Sequence, residues 1–232
     1  MSVLNLSICL LHFESRLQSV DLMEDSLHIA EPVALARPRG AHRFEAFSPK
    51  LGRRVMFYRR PLLEQWLLLE AAPNVITFCE RPGYVLTDGS RRLADFWVRY
   101  SDRYELVILS DSSTEDSVNA TCGDLDGNAF PIRLVAPAEL AAARIWTDNW
   151  QRMLPYLVAN RRLVPPALPR AIILFLGEPR RLLAIERELS AGDPVLVRTA
   201  LFGLLHRGQV CAPELHTQPL SLLTSFAAEA TS

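Results

Sequence analysis

The sequence predicts an α/β fold followed by a small, mostly helical module. Three observations carry this prediction. Residues 58–72, YRRPLLEQWLLLEAA, have the apolar spacing of a helix. Residues 74–111 break into short runs of strand-forming residues separated by turn signals. Beyond the proline-rich stretch LVPPALP at 163–169, two helical patterns precede an extended segment.

Pro61 suits the first turn of the 58–72 helix, where a missing N–H costs little. Leu62, Leu63, Trp66, Leu67, Leu68 and Leu69 make a broad apolar surface, so this helix is expected to be packed on more than one side. Glu64 lies within that surface, either at the rim of the core or held for a purpose. NVITFCERP (74–82) alternates as a strand, and residues 83–111 read as three short strands turning near Asp88-Gly89 and Ser101-Asp102. Asp95 opens one strand of the last hairpin, and the next runs out through Leu106–Leu109 to Ser110 and Asp111. A further strand is expected around Ile132 to Val135, and residues 137–163 read as two helices meeting near Trp146 to Asn149. After the proline-rich break come a helix ended by Gly192 and a second one capped by Asp193, with Pro194 at its first position and Gly208 past its end. Helix, turn, helix and strand pair is the order of a small winged-helix module. The expected division is an acidic, partly helical leader at 1–40, an α/β domain at 41–165 and the helical module at 166–232.

With 232 residues, 49% hydrophobic and 22% charged, the chain has the composition of a soluble globular protein. No apolar run approaches the roughly 20 residues of a membrane span, and the first residues lack the basic start of a signal peptide. A cytoplasmic location is expected, with the widely spaced Cys9, Cys79, Cys122 and Cys211 as free thiols. The net charge of −1 excludes a uniformly basic nucleic-acid binder. Charge is nonetheless segregated: residues 37–60 carry eight basic side chains against Glu45 alone. Such a segment can neutralise phosphates locally, or form a solvated arginine-rich loop. Lys50 is the only lysine beside 24 arginines, a bias that would not easily remove a lysine required by chemistry.

Other motifs carry less. DLDGN (124–128) lacks the downstream glutamate of a calcium loop and reads as a turn, the NAT sequon (119–121) has no secretory setting, and His206 reads as a helix-end cap.

SPKLGRRVMFY (48–58), LLEQWLLLEAAPNVITFCERP (62–82) and RRLADFWVRY (91–100) resemble, in order and spacing, the N-terminal domain of TnsA, the endonuclease subunit of heteromeric transposases. LLHRGQV and the later PLS look like the end of that family's chains. The resemblance implies a restriction-endonuclease-like mixed sheet with helices on both faces. It implies a protein that cuts transposon 5′ ends beside an integrase-type transposase subunit and docks on an AAA+ ATPase regulator. Glu64 matches the family's helix acid and Asp95 its hairpin acid, and two such carboxylates can share Mg²⁺. The family's lysine is missing: Ile108 or Leu109 stands where an acid or amide is expected and Ser110 or Asp111 where the lysine is expected. Ala94 also replaces the proline before the hairpin acid. Asp111 is a further candidate metal ligand, Glu80 another carboxylate, and Lys50 or Arg92 a replacement cation. Lys50, Arg53, Arg54, Arg59 and Arg60 are the candidate DNA contacts. Three readings stay open at this point: a TnsA-like subunit binding transposon-end DNA with impaired nuclease chemistry, an active metal-dependent endonuclease with a rearranged site, and a non-enzymatic winged-helix regulator.

Overall fold

The computed structural model describes residues 31–87, 90–110, 121–125, 128–190 and 192–229. Strands β1 (Phe44–Ser48) and β2 (Arg53–Phe57) form an antiparallel hairpin, with Ser48 opposite Arg53. The Ser-Pro-Lys-Leu-Gly-Arg stretch is therefore a hairpin turn and not a basic loop. Gly52 closes it at φ 65°, a left-handed conformation that glycine adopts without a side-chain clash, and its N–H donates to the Ser48 carbonyl at 2.9 Å.

Helix α1 (Arg60–Ala71) follows, with Pro61 in its first turn as the sequence predicts. Strands β3 (Val75–Glu80), β4 (Tyr84–Thr87), β5 (Ser90–Leu93), β6 (Phe96–Tyr100), β7 (Tyr104–Leu109), β8 (Thr121–Leu125) and β9 (Asn128–Val135) come next. Residues 83–111 thus hold four strands where three are expected. The extra one arises because the chain turns between Leu93 and Phe96, so Arg91 and Arg92 pair backwards with β4 instead of continuing into β6.

Five strands form a mixed sheet in the order β3-β6-β7-β9-β8, antiparallel throughout except between β7 and β9. Leu106, Val107, Ile108 and Leu109 are all at most 2% exposed, so β7 is buried on both faces, as an unbroken apolar strand should be. Phe96, Val98, Val107 and Leu109 face the main core with Trp66 and Leu67 of α1. On the opposite face Trp97, Leu106 and Ile108 meet Cys79, Val85 and Ala94. Among the described residues that second cluster contains no helix residue, where the family likeness implies helices on both faces. A β4–β5 side chain, Val85, covers it instead.

Helices α2 (Pro137–Ala142) and α3 (Arg144–Asn160) meet at Ala143, earlier than the sequence reading places the junction. Glu139 explains this. Its carboxylate accepts the Ala136 N–H at 3.0 Å and pins the first short helix as a unit of its own. Beyond it lie α4 (Ala167–Phe175), β10 (Arg180–Arg181), α5 (Leu182–Leu189), α6 (Pro194–His206), β11 (Val210–Cys211), a 3₁₀ turn (Pro213–His216) and β12 (Ser225–Ala228). β10, β12 and β11 form a small antiparallel sheet in that spatial order. Asp193 caps α6, its carboxylate accepting the Val195 N–H at 2.9 Å, and Gly208 stands past the end at φ 68°.

The proline-rich stretch does not divide the core. One buried cluster runs from Val55 and Phe57 through Trp150 and Leu157 to Ile172, Leu201 and Phe226. Pro165 and Pro166 simply deliver α4, which itself contains Pro169 in its first turn. Buried Asn149 strengthens the join: its amide donates to the Leu215 and Gln218 carbonyls at 2.8 Å each and accepts the Leu220 N–H at 2.7 Å. No helix among the described residues is long and apolar enough to cross a membrane.

Candidate functional site

The start of α1, the start of β6 and the end of β7 converge. Asp95 precedes β6, and its backbone N–H donates to the Val107 carbonyl of the neighbouring strand. One side-chain oxygen of Asp95 accepts the Leu109 N–H at 2.8 Å, and the other meets Arg59 Nη2 at 3.2 Å. Glu64 is one turn into α1, and its Oε1 accepts from Arg60 Nε at 2.8 Å. Arg92 donates to the Leu109 carbonyl, which puts a guanidinium near the strand end where the family likeness expects a lysine.

Beside these residues lies an open cleft of about 380 Å³, lined by Arg59, Arg60, Glu64, Leu109, Ser110 and Arg144 together with the apolar start of α2. Glu64 and Ser110, 46 positions apart, therefore share one cleft, and Asp95 is tied to its wall through Arg59 and Leu109. Three arginines line it against one acid. The amino end of α1 adds the positive pole of its backbone dipoles. Such an arrangement suits an oxyanion, above all a phosphate, which accepts paired N–H donors from guanidinium.

The site residues fit a metal poorly. Each retained acid meets a guanidinium, and the strand-end neighbours are Leu109 and Ser110. Among the described residues no group of three or more His, Cys, Asp or Glu side chains could hold a metal ion. Asp111, the further candidate ligand, lies outside the described residues.

Other expected residues have different tasks. Glu80 is buried and takes Arg53 in a bidentate pair, both contacts at 2.6 Å, so these two serve each other and neither lines the cleft. The carboxylate hydrogen bond raises the Arg53 pKa. Arg54 is exposed on β2. Lys50, grouped above with the DNA contacts, sends its ammonium to the far end of α1. There it donates to the Leu69 carbonyl at 3.1 Å and to Ala72, closing two acceptors that the helix end leaves open, and to the Val75 carbonyl at the start of β3 at 2.9 Å. His206 does not cap its helix; its Nε2 meets Oε1 of Glu70 at 2.9 Å. Cys79 and Cys211 are free thiols, and burial pushes Cys79 up to about 11, which makes it a poor nucleophile.

Burial lowers the Lys50 pKa from 10.5 to about 8, with Glu70 pulling it the other way. An amine depressed on folding favours the folded state most above its unfolded value and loses that contribution as pH falls through its folded value. Stability is therefore expected to rise between about pH 8 and 10.5, and Lys50→Met should flatten the rise. Because Lys50 is the sole lysine, its ¹³Cε resonance can be followed without assignment. A midpoint above 10 would overturn the depressed value.

Two site features escaped sequence reading. Arg144 is 84 positions from Arg60 and begins a helix with no motif around it. Glu70 and His206 are 136 positions apart, and neither stands in a recognisable pattern. Comparison of the chain with protein-family models and with curated protein sequences finds no match in either.

Proposed function

We propose that this protein is a DNA-binding subunit of a heteromeric transposase, similar to TnsA, in which the nuclease centre has become a phosphate-holding cleft. One observation carries the reading. Both acids that the resemblance assigns to the metal, Glu64 and Asp95, meet an arginine at the cleft, and a third arginine, Arg144, joins them. An arginine-rich cleft at a helix amino end, beside a mixed sheet, can seat a DNA phosphate without cutting it. Its partners in this reading are transposon-end DNA, an integrase-type transposase subunit and an AAA+ regulator, and Mg²⁺ is not required for binding.

The test is a nicking assay on supercoiled plasmid with Mg²⁺ or Mn²⁺, alone and with the partner subunits of the same element. The expected result is retained DNA binding without metal-dependent nicking. Nicking that requires the metal and disappears in both Glu64→Ala and Asp95→Ala would replace this reading with the active endonuclease.

The winged-helix alternative meets a steric objection. A reading helix must offer a face to the major groove. The second helix of the C-terminal module, α6, has eight buried residues, Val197 and Thr199–Leu205, and none of its residues is exposed. Helix α3 packs along it, with Leu157 against Gly203.

A further inference from the structure

A second cleft of about 380 Å³ opens between the end of α3, the proline-rich stretch and the end of α6. Its polar lining is Arg161, Thr199, His206 and Arg207, and no acid lines it. Leu157, Val164 and the prolines of 165–169 supply apolar walls. The two arginines come from the carboxyl ends of different helices. Arg161 lies over the Phe47 ring, its guanidinium carbon 5.6 Å from the centroid, and Arg207 donates from Nε to Gln209 at 3.0 Å. Neither has a carboxylate partner among the described residues.

His206 is held from behind. Glu70 is fully buried and accepts from the Ser48 hydroxyl and, at 3.0 Å, from the Lys50 N–H, while its Oε1 faces His206 Nε2 at 2.9 Å. A carboxylate there fixes the imidazole so that Nε2 carries a proton and donates it. The other nitrogen, Nδ1, has no protein partner among the described residues and remains for a ligand. Two guanidiniums without a carboxylate partner and the absence of any lining acid are the components of an anion site, and the fixed imidazole places an oriented acceptor beside it before the ligand arrives.

We propose that this cleft binds a small phosphate ester, its phosphate between Arg161 and Arg207, its organic part against Leu157, Val164 and the prolines, with His206 Nδ1 accepting from a hydroxyl of that organic part. The volume lies at the lower end of small-molecule pockets, roughly 300–1,000 Å³, and fits a ligand the size of a nucleoside monophosphate.

The test titrates the full chain with inorganic phosphate, with adenosine monophosphate and with a short DNA duplex, by calorimetry. The protein is compared with Arg161→Ala/Arg207→Ala and His206→Ala, and melting curves check that each variant folds. Both arginines are exposed, so the double variant should melt as the parent does. The expected result is saturable binding of phosphate, tighter binding of the monophosphate, and a loss of about 10-fold for each arginine removed. His206→Ala should weaken the monophosphate as well. No saturable binding of either small probe, or binding that survives the double arginine variant, would overturn the assignment. If only the duplex binds and the double variant weakens it, the phosphate belongs to a DNA backbone and the small-ester assignment fails. Failure here leaves the transposase reading standing, because that reading is tested at the α1 cleft with different residues.

Discussion

Replacing Arg59 and Arg60 together by alanine is expected to weaken binding to a DNA duplex by about 100-fold at low salt. The figure follows from two charge-assisted guanidinium–phosphate contacts, each worth on the order of a 10-fold change in affinity. The same change removes the arginine partners of Asp95 and Glu64, while Asp95 keeps the Leu109 N–H, and leaves two carboxylates without a guanidinium beside the incoming phosphate, which adds repulsion to the lost attraction. Fluorescence anisotropy across a salt series should show a second effect. Each neutralised phosphate contributes roughly 0.9 to the slope of log affinity against log salt, so the double variant should lose about 1.8 of that slope. Stability should barely move, because both arginines are exposed and surface ion pairs, screened by water, contribute little. An unchanged affinity with an unchanged slope would place DNA elsewhere on the molecule.

Glu70→Ala is expected to be the most damaging single change for stability. Glu70 is 0% exposed, and its carboxylate joins three distant pieces of chain: the β1–β2 turn through Ser48 and Lys50, its own helix α1, and α6 through His206. Removing it leaves a buried hydroxyl, a backbone N–H and an imidazole without their acceptor. Breaking a buried, hydrogen-bonded charge network costs about 3–5 kcal/mol. For a chain of this size each kcal/mol moves the midpoint by roughly 2–4 °C, so thermal melting should fall by about 10 °C. Glu64→Ala is the internal comparison. Glu64 is also an α1 acid, but its partner Arg60 is exposed one turn away, and its loss should cost no more than about 0.5 kcal/mol. Equal melting points for the two variants would refute the assignment of roles.

These two glutamates show how far the sequence could be read. Both lie on one apolar helix, six positions apart, and helical geometry puts them on different faces. Glu64 is the more conspicuous one, because it falls at a motif position. Nothing in LLLEAA marks Glu70 as the buried acid, because its partners are a serine 22 positions earlier and a histidine 136 positions later. Periodicity carries no information about such distant pairings. The extra β4–β5 hairpin was missed for a related reason. Arg91 and Arg92 read equally well as the start of the next strand, and only the backward pairing with Val85 and Leu86 separates them from it. Asp193 and Gly208 were legible because a cap and a left-handed stop act within a few residues of themselves.

The sequence by itself determined the local elements: the proline-started helix α1, the buried strand β7 and the capped helix α6. These follow from side-chain period, backbone restriction and short-range hydrogen bonding. Tertiary structure decided the partners. It turned Lys50 into the closure of a helix end, gave Glu80 to Arg53, brought Arg144 to the cleft of Arg59 and Arg60, and merged the chain on both sides of the proline stretch into one core. The physical reason is that a charged group acts on whatever lies within a few ångströms of it. Those neighbours come from anywhere in the chain, and packing alone assigns them.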